Sequence, residues 1–396
     1  MNRRDFLKSS MLTLVSGVGG PGFLSRTALA ALGPGKTLVV VQLSGGNDGL
    51  NTLVPYTNGA YYAARPSIAV GKADVLPVSK EVGFNPSLKP LMKLWDAGEV
   101  AVVQGVGYPN ANRSHFESMA IWHSANPELD ANRDGWIGRI ADKYGDPFCA
   151  TNFRGSTPLA LRTSDVVLPS IGSVDSFQIK FPEPINKVFT EFISRPADAR
   201  ENNRSERVRV ITKQMLENTA RVQSKVKKYK PGSAYPEKEN FAASLRDISR
   251  MIAGEVGPRV FYTQLGGFDN HAGQLQDHPK LLETLSNGLT AFRTDLDAQG
   301  KADDVTVMVF SEFGRRVTEN ASAGTDHGQA GLMFVLGKQV KGGLYGAYPD
   351  LEKLENGDLK FNTDFRAVYA TALDRWLNIP SKDILGSSFA PMGFLS

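Results

Sequence analysis

Several short apolar runs punctuate the chain, and each stops at glycine followed by polar residues. Thr37-Leu38-Val39-Val40-Val41-Gln42-Leu43 runs into Ser44-Gly45-Gly46-Asn47-Asp48, and Val100-Ala101-Val102-Val103-Gln104 into Gly105-Val106-Gly107. Arg259 to Leu265 ends in Gly266-Gly267-Phe268-Asp269, and Val305 to Phe310 in Ser311-Glu312-Phe313-Gly314. Nearly continuous β-branched runs of this length predict strands buried on both faces, hence a parallel sheet covered on each side. Between them, Phe241, Leu245, Ile248 and Ile252 repeat at helical spacing, as do Leu282, Leu285, Leu289, Phe292 and Leu296. Each of these helices precedes a strand, and the alternation predicts a doubly wound α/β fold. The stretch from about 125 to 240 reads differently: it is proline-punctuated and loop-rich. It contains a charged segment, Ser205 to Lys230, that predicts a solvated helix, and Pro231-Gly232-Ser233 marks its end. It is expected to be an insertion in, or a cap on, the sheet.

The first thirty residues follow another logic. Arg3-Arg4-Asp5-Phe6-Leu7-Lys8 is a basic start with paired arginines. A short glycine-interrupted apolar stretch, Met11 to Val18, comes next, and Ala28-Leu29-Ala30 supplies a small-x-small cleavage site. This order predicts a twin-arginine export signal, cut before Ala31, with the Tat translocase as partner during export. The expected destination is the periplasm or the cell exterior. Residues 31–396 would then form the mature domain, with no stable membrane span left after cleavage.

Charge changes the picture only slightly. Arg3, Arg4, Lys8 and Arg26 against Asp5 give the leader +3, so only +1 of the chain's net +4 stays with the remainder. Nothing in that balance calls for a nucleic-acid or anionic-membrane partner. Cys149 is the single cysteine, so no intrachain disulfide can form.

In open α/β sheets, ligands bind beyond the carboxyl ends of the strands. The residues that close the predicted strands are therefore the first candidates: Asp48, Asp269 with His271, and Glu312, joined by Asp326 and His327 in Gly324-Thr325-Asp326-His327-Gly328. Carboxylates with imidazoles suit a divalent cation, zinc or manganese first, magnesium or calcium less specifically. Each has a structural alternative: Asp48 as a turn residue, either histidine as a satisfied structural group, Glu312 as a helix cap or a partner of Arg315 or Arg316. A second candidate is Asn112-Arg113-Ser114-His115-Phe116-Glu117-Ser118-Met119, before an expected helix. A serine there sits where backbone N–H groups and the dipole favour an anion, and it can act as a nucleophile. Equally, Ser114 with Glu117 matches a capping box. His123 and His278 read as surface or structural residues. The chain has no Walker loop, no Gly-x-Ser-x-Gly, no Cys-x-x-Cys and no His-Glu-x-x-His.

Taken in order, Gln42 to Thr52, Asn112 to Phe116, Gly135-Trp136-Ile137-Gly138-Arg139, Gly267 to His271, Ser311 to Arg315, and Asp326-His327 resemble one bacterial, often twin-arginine-exported family. That family carries domain of unknown function 1501. The resemblance runs from about 36 to 394 and includes Thr363 to Ala370. The family is similar to the alkaline phosphatase and sulfatase superfamily. The resemblance implies a three-layer α/β/α sandwich with a mostly parallel sheet, divalent metal at the strand ends, and hydrolysis or transfer of phosphate or sulfate esters, small or polymeric. Carried over by order, Asp48, Asp269, His271, Glu312 and His327 match metal ligands and Ser114 the nucleophile. Asp326 joins the metal set, and Arg113 would stabilise charge on the transferring group. The chain departs from the superfamily pattern in two places. Asp269 and His271 lie two apart rather than four, and Glu312 is followed by Phe313 rather than histidine. One imidazole is thus missing from the carried-over set. The expectation is an exported metal-dependent ester hydrolase; the alternative is a non-catalytic envelope protein that kept the scaffold and binds a polymer or partner.

Overall fold

A computed structural model describes residues 35–128, 134–177, 185–194, 209, 219–220 and 222–396. The stretch expected to be an export signal, and much of the charged segment 205–230, lie outside the described residues. The strands are β1 (Thr37–Ser44), β2 (Leu53–Val54), β3 (Leu76–Pro77), β4 (Gly83–Phe84), β5 (Val100–Gly107) and β6 (Ala150–Phe153). They continue with β7 (Ser170–Ile171), β8 (Val260–Gly266), β9 (Val305–Ser311), β10 (Gly331–Leu336), β11 (Gly343–Tyr345) and β12 (Thr363–Asp364). Among the described residues, the main sheet has the order β11-β5-β10-β9-β1-β8-β6-β7, with β12 on β5, and β2-β4-β3 form a small second sheet.

β1 sits at the centre, parallel to β8 on one side and β9 on the other. β10 runs antiparallel to both β9 and β5. Two reversals restore direction, so β5 points the same way as β1, β8 and β9. The carboxyl ends of these four strands therefore meet at one edge of the sheet.

Alternation along each strand divides the core in two, because successive side chains leave opposite faces. Leu38, Val40, Ala101, Val103, Met308 and Phe310 pack on one face with Ile121, Trp122, Ile137, Ile140 and Tyr369. Val39, Val41, Val100, Val102, Val307 and Val309 pack on the other with Leu91, Leu94, Leu245, Ile248, Leu285 and Phe292. The first layer is built by the helices His115–Ser124, Trp136–Tyr144 and Phe365–Thr371, the second by Lys89–Asp96, Asn240–Ala253 and Gln274–Ala298. Each buried Val or Leu contributes about 1.5–3 kcal/mol. The protein is thus a three-layer α/β/α sandwich with a mostly parallel sheet. Within the 125–240 stretch, β6 pairs in parallel with β8, and β7 with β6, so its first part extends the main sheet. No helix among the described residues is long and apolar enough to cross a membrane.

Candidate metal centre

Three strand ends and one helix start build the site. After β1, Gly45 adopts φ +121°, and a Cβ there would come within 2.4 Å of the Asp269 backbone nitrogen. Only glycine lets the turn after β1 approach the turn after β8 this closely. After β9, Gly314 and Arg316 are hydrogen-bonded to the segment 326–329, which sets Arg315 opposite His327. After β5, a loop leads to Ser114, the N-cap of the helix His115–Ser124.

These elements bring His115, Asp269 and His327 together, with one ligand atom from each within 4.8 Å of the others. His271 joins them: its Nε2 lies 3.0 Å from Asp269 Oδ1 and 2.9 Å from His327 Nε2. His327 Nε2 and His115 Nε2 lie 3.2 and 3.4 Å from the same oxygen. The far nitrogen of each ring is held in turn. His115 Nδ1 is 2.9 Å from Glu312 Oε1, His271 Nδ1 is 3.1 Å from Asp326 Oδ1, and His327 Nδ1 is 2.8 Å from the Arg113 carbonyl.

That outer arrangement decides the protonation of the inner atoms. A carbonyl oxygen only accepts, so His327 Nδ1 carries its proton and the neutral ring turns a bare lone pair inward. Hydrogen bonds from Asn320 and His271 lower the pKa of Asp326, which is therefore an ionised acceptor, and the same reasoning holds for His271. Two lone pairs then face each other at 2.9 Å beside a carboxylate. His115 Nε2 is buried and has no hydrogen-bond partner. Such a set is satisfied by a second proton on one ring or by a cation. Three imidazole nitrogens and one carboxylate oxygen are a zinc-type donor set, and carboxylate- or carbonyl-oriented imidazoles are its usual surroundings. The residues present therefore fit a divalent metal.

Burial raises the pKa of Asp269, but Arg315, whose Nη2 donates to Asp269 Oδ1 at 2.6 Å, with help from His327 and His271, brings it down to about 2. Arg315 is buried and also donates to the carbonyls of Gly46, Thr325, Phe268 and Gly45, pinning all three strand-end turns. The hydrogen bond to Glu312 raises the pKa of His115. The Phe313 ring packs against both His115 and His327, with centroids 4.9 and 4.7 Å apart. On the other side the cluster opens into a cleft of about 480 Å³, whose lining includes Ser44, His115, Asp269 and Glu312.

The remaining sequence candidates fall outside this inner set. Asp48 is 2% exposed and stays with Arg65, whose Nη1 donates to its Oδ2 at 2.6 Å and Nη2 to its Oδ1 at 3.1 Å. Gln274 Nε2 also donates to Oδ2, and the Leu50 N–H donates to Oδ1 at 3.2 Å. All four lone-pair positions are filled, so Asp48 has none for a cation. Glu312 is buried and accepts from the Gly45 N–H and Ser311 hydroxyl as well as facing His115. It orients an imidazole, as Asp326 does. Arg113 pairs through its guanidinium with the buried Asp358, so it is not turned to a transferring group. The Ser114 hydroxyl makes no capping bond, and Asn112 donates to Glu117 instead, so the capping box does not form.

Sequence reasoning missed His115, although it stands beside Ser114 in the motif already singled out. The available signal was position: it is the first residue of a helix that follows a strand ending at the same sheet edge. His123 and His278 are both buried rather than on the surface. His123 Nε2 lies 2.9 Å from Gln42 Oε1, and His278 Nε2 lies 3.0 Å from Asn47 Oδ1.

An α/β sandwich that gathers imidazoles and a carboxylate at the carboxyl ends of parallel strands is the class of protein defined here. The chain belongs to the family described as "Protein of unknown function (DUF1501)", which it matches over residues 185–384. Among solved structures it is similar to a protein in the alkaline phosphatase superfamily from Vibrio parahaemolyticus, at 9% identity over 90% of this chain and 71% of that one, with a TM-score of 0.42. It is also similar to the PsFucS1 sulfatase from Pseudoalteromonas sp., at 12% identity over 93% and 73% of the two chains, with a TM-score of 0.39. A third is the C-terminal periplasmic domain of EcEptC from Escherichia coli in complex with Zn, at 10% identity over 77% and 74%, with a TM-score of 0.36. No curated protein matches the chain.

Proposed function

We propose that this protein is an exported, metal-dependent hydrolase of phosphate or sulfate esters. The observation that carries the reading is the convergence of His115, Asp269 and His327, whose ligand atoms lie within 4.8 Å of one another, with His271 against Asp269 and His327 and with His115 Nε2 buried without a hydrogen-bond partner. These four residues would hold the cation, which supplies Lewis-acid polarisation and charge neutralisation for an anionic ester.

The chain's own residues do the rest. Glu312, Asp326 and the Arg113 carbonyl hold protons on the outer ring nitrogens, so the inner ones stay available as ligands. Arg315 keeps Asp269 ionised and aimed. Ser114, at a helix N-terminus and free of a capping bond, would be the hydroxyl that attacks phosphorus or sulfur as the ester oxygen leaves. The helix dipole there favours the anionic group. The non-catalytic alternative expected Asp48, Asp269 and His327 to lie too far apart to share an ion; Asp269 and His327 meet, together with His115, whereas Asp48 stays with Arg65.

The test joins metal analysis of the purified protein to assays on aryl phosphates and aryl sulfates. Bound divalent metal, with turnover that falls by at least about 100-fold in Ser114→Ala, is the expected result. No metal after loading, or turnover unchanged in Ser114→Ala and His327→Ala alike, would remove the reading.

A further inference from the structure

Among the described residues, Phe116 is the most exposed large hydrophobic side chain, at 90%. It is the second residue of the helix His115–Ser124 and directly follows a cluster histidine. Burying such a ring is favourable, and the fold leaves that gain unused. Phe116 lines the same cleft as Asp269 and Glu312, beside Met119, Ala120 and Leu159. The cleft lining thus combines charged and polar groups, His115, Asp269 and Glu312 among them, with an apolar set, Phe116, Met119, Ala120 and Leu159.

We infer that Phe116 is a specificity-determining residue: it receives an aryl or similarly flat apolar leaving group of an ester whose anionic end lies at the cluster. This rests on the hydrolase reading and narrows its substrate class. Of the apolar set, Phe116 and Leu159 offer a sugar's hydroxyls no partner and Met119 only a weak thioether acceptor. An aromatic group loses nothing there and gains ring contact with Phe116. An anion flanked by an apolar ring matches a cleft lined by both the cluster and this apolar set.

The experiment is calorimetric binding of two non-hydrolysable anions, phenylphosphonate and methylphosphonate, to the zinc-loaded protein. The wild type is expected to prefer phenylphosphonate by about tenfold. Phe116→Ala should bring the two affinities together, and Phe116→Tyr should keep them apart, both with metal content unchanged. The ring is exposed, so its removal leaves the core intact. Equal affinities in the wild type, a preference that survives Phe116→Ala, or tighter binding of glucose 6-phosphate than of phenylphosphonate would each overturn the assignment of Phe116 alone. A protein that holds no metal and binds neither phosphonate would bring down the hydrolase reading and this inference with it.

Discussion

Two carboxylates stand just past strand ends on the same edge of the sheet, and they have opposite fates. Asp48, after β1, is closed in by Arg65, Gln274 and the Leu50 N–H, with His278 nearby on Asn47. Asp269, after β8, keeps a half-exposed side chain, with Arg315 behind it and three imidazole nitrogens in front. In the first region all four lone-pair positions of Asp48 meet protein donors, and the charge is neutralised within the fold. In the second, the partners oriented toward one another are acceptors, a set that a second proton on one ring or a cation satisfies. What distinguishes the second region is therefore its set of acceptors facing one another, not the presence of acid and imidazole.

The comparison can be broken from either side. The largest effect should follow Asp48→Ala, which strands Arg65 as an unpaired buried charge. A loss of about 3–5 kcal/mol in unfolding free energy is expected by denaturant titration, with the metal content of the folded fraction unchanged. Loss of metal in that variant would erase the distinction between the regions. His327→Ala should do the reverse: metal affinity falls by more than about 100-fold, the effect of losing a ligand rather than its orienting partner, while stability of the metal-free protein shifts little. Glu312→Gln is a milder version, because the amide oxygen can still accept from His115. A loss of about 10–100-fold in affinity is expected by competition with a chelator.

The smallest effect is a pH dependence carried by two buried histidines, His278 in the closed region and His123 against Gln42. Burial lowers the pKa of His278 and of His123 to about 4 in the fold. Above pH 6.5 both are neutral whether folded or not, so their contribution is fully present. As pH falls from 6.5 toward 4, the unfolded chain takes protons that the folded one refuses, and stability is lost across that window. Each histidine accounts for roughly 1–3 kcal/mol of that loss. Replacing His278 by Gln should flatten the melting-temperature profile between pH 6.5 and 4. An unchanged profile would show that its neutral, buried state is not what the fold requires.

Much of this was legible in the sequence, and the limits have physical reasons. The central strands could be read because burial on both faces leaves an unbroken apolar run, as in Thr37 to Leu43. Asp269, His271 and Glu312 could be set at one edge because parallel strands deliver their carboxyl ends there; Asp326 and His327 lie in the loop that follows β9 and leads into the antiparallel β10. Which of them face inward could not be read. Glu312 and Asp326 differ from Asp269 only in which side chains they meet across the fold. The closing of Asp48 depends on Gln274, 226 residues away, and on Arg65, 17 residues away across a loop, and neither contact leaves a local pattern. His115 was hidden by its neighbour: the Ser114–Glu117 spacing reads as a cap, and the imidazole beside it drew no attention. It supplies an imidazole to a set in which the family comparison left one missing.

The most direct test of the central claim is the amount of divalent metal per chain, measured by elemental analysis on the wild type beside Asp269→Asn after loading and dialysis. The account predicts about one ion per wild-type chain and essentially none in the variant, with both proteins folded. A wild type that retains no metal, or a variant that retains as much as the wild type, would contradict it.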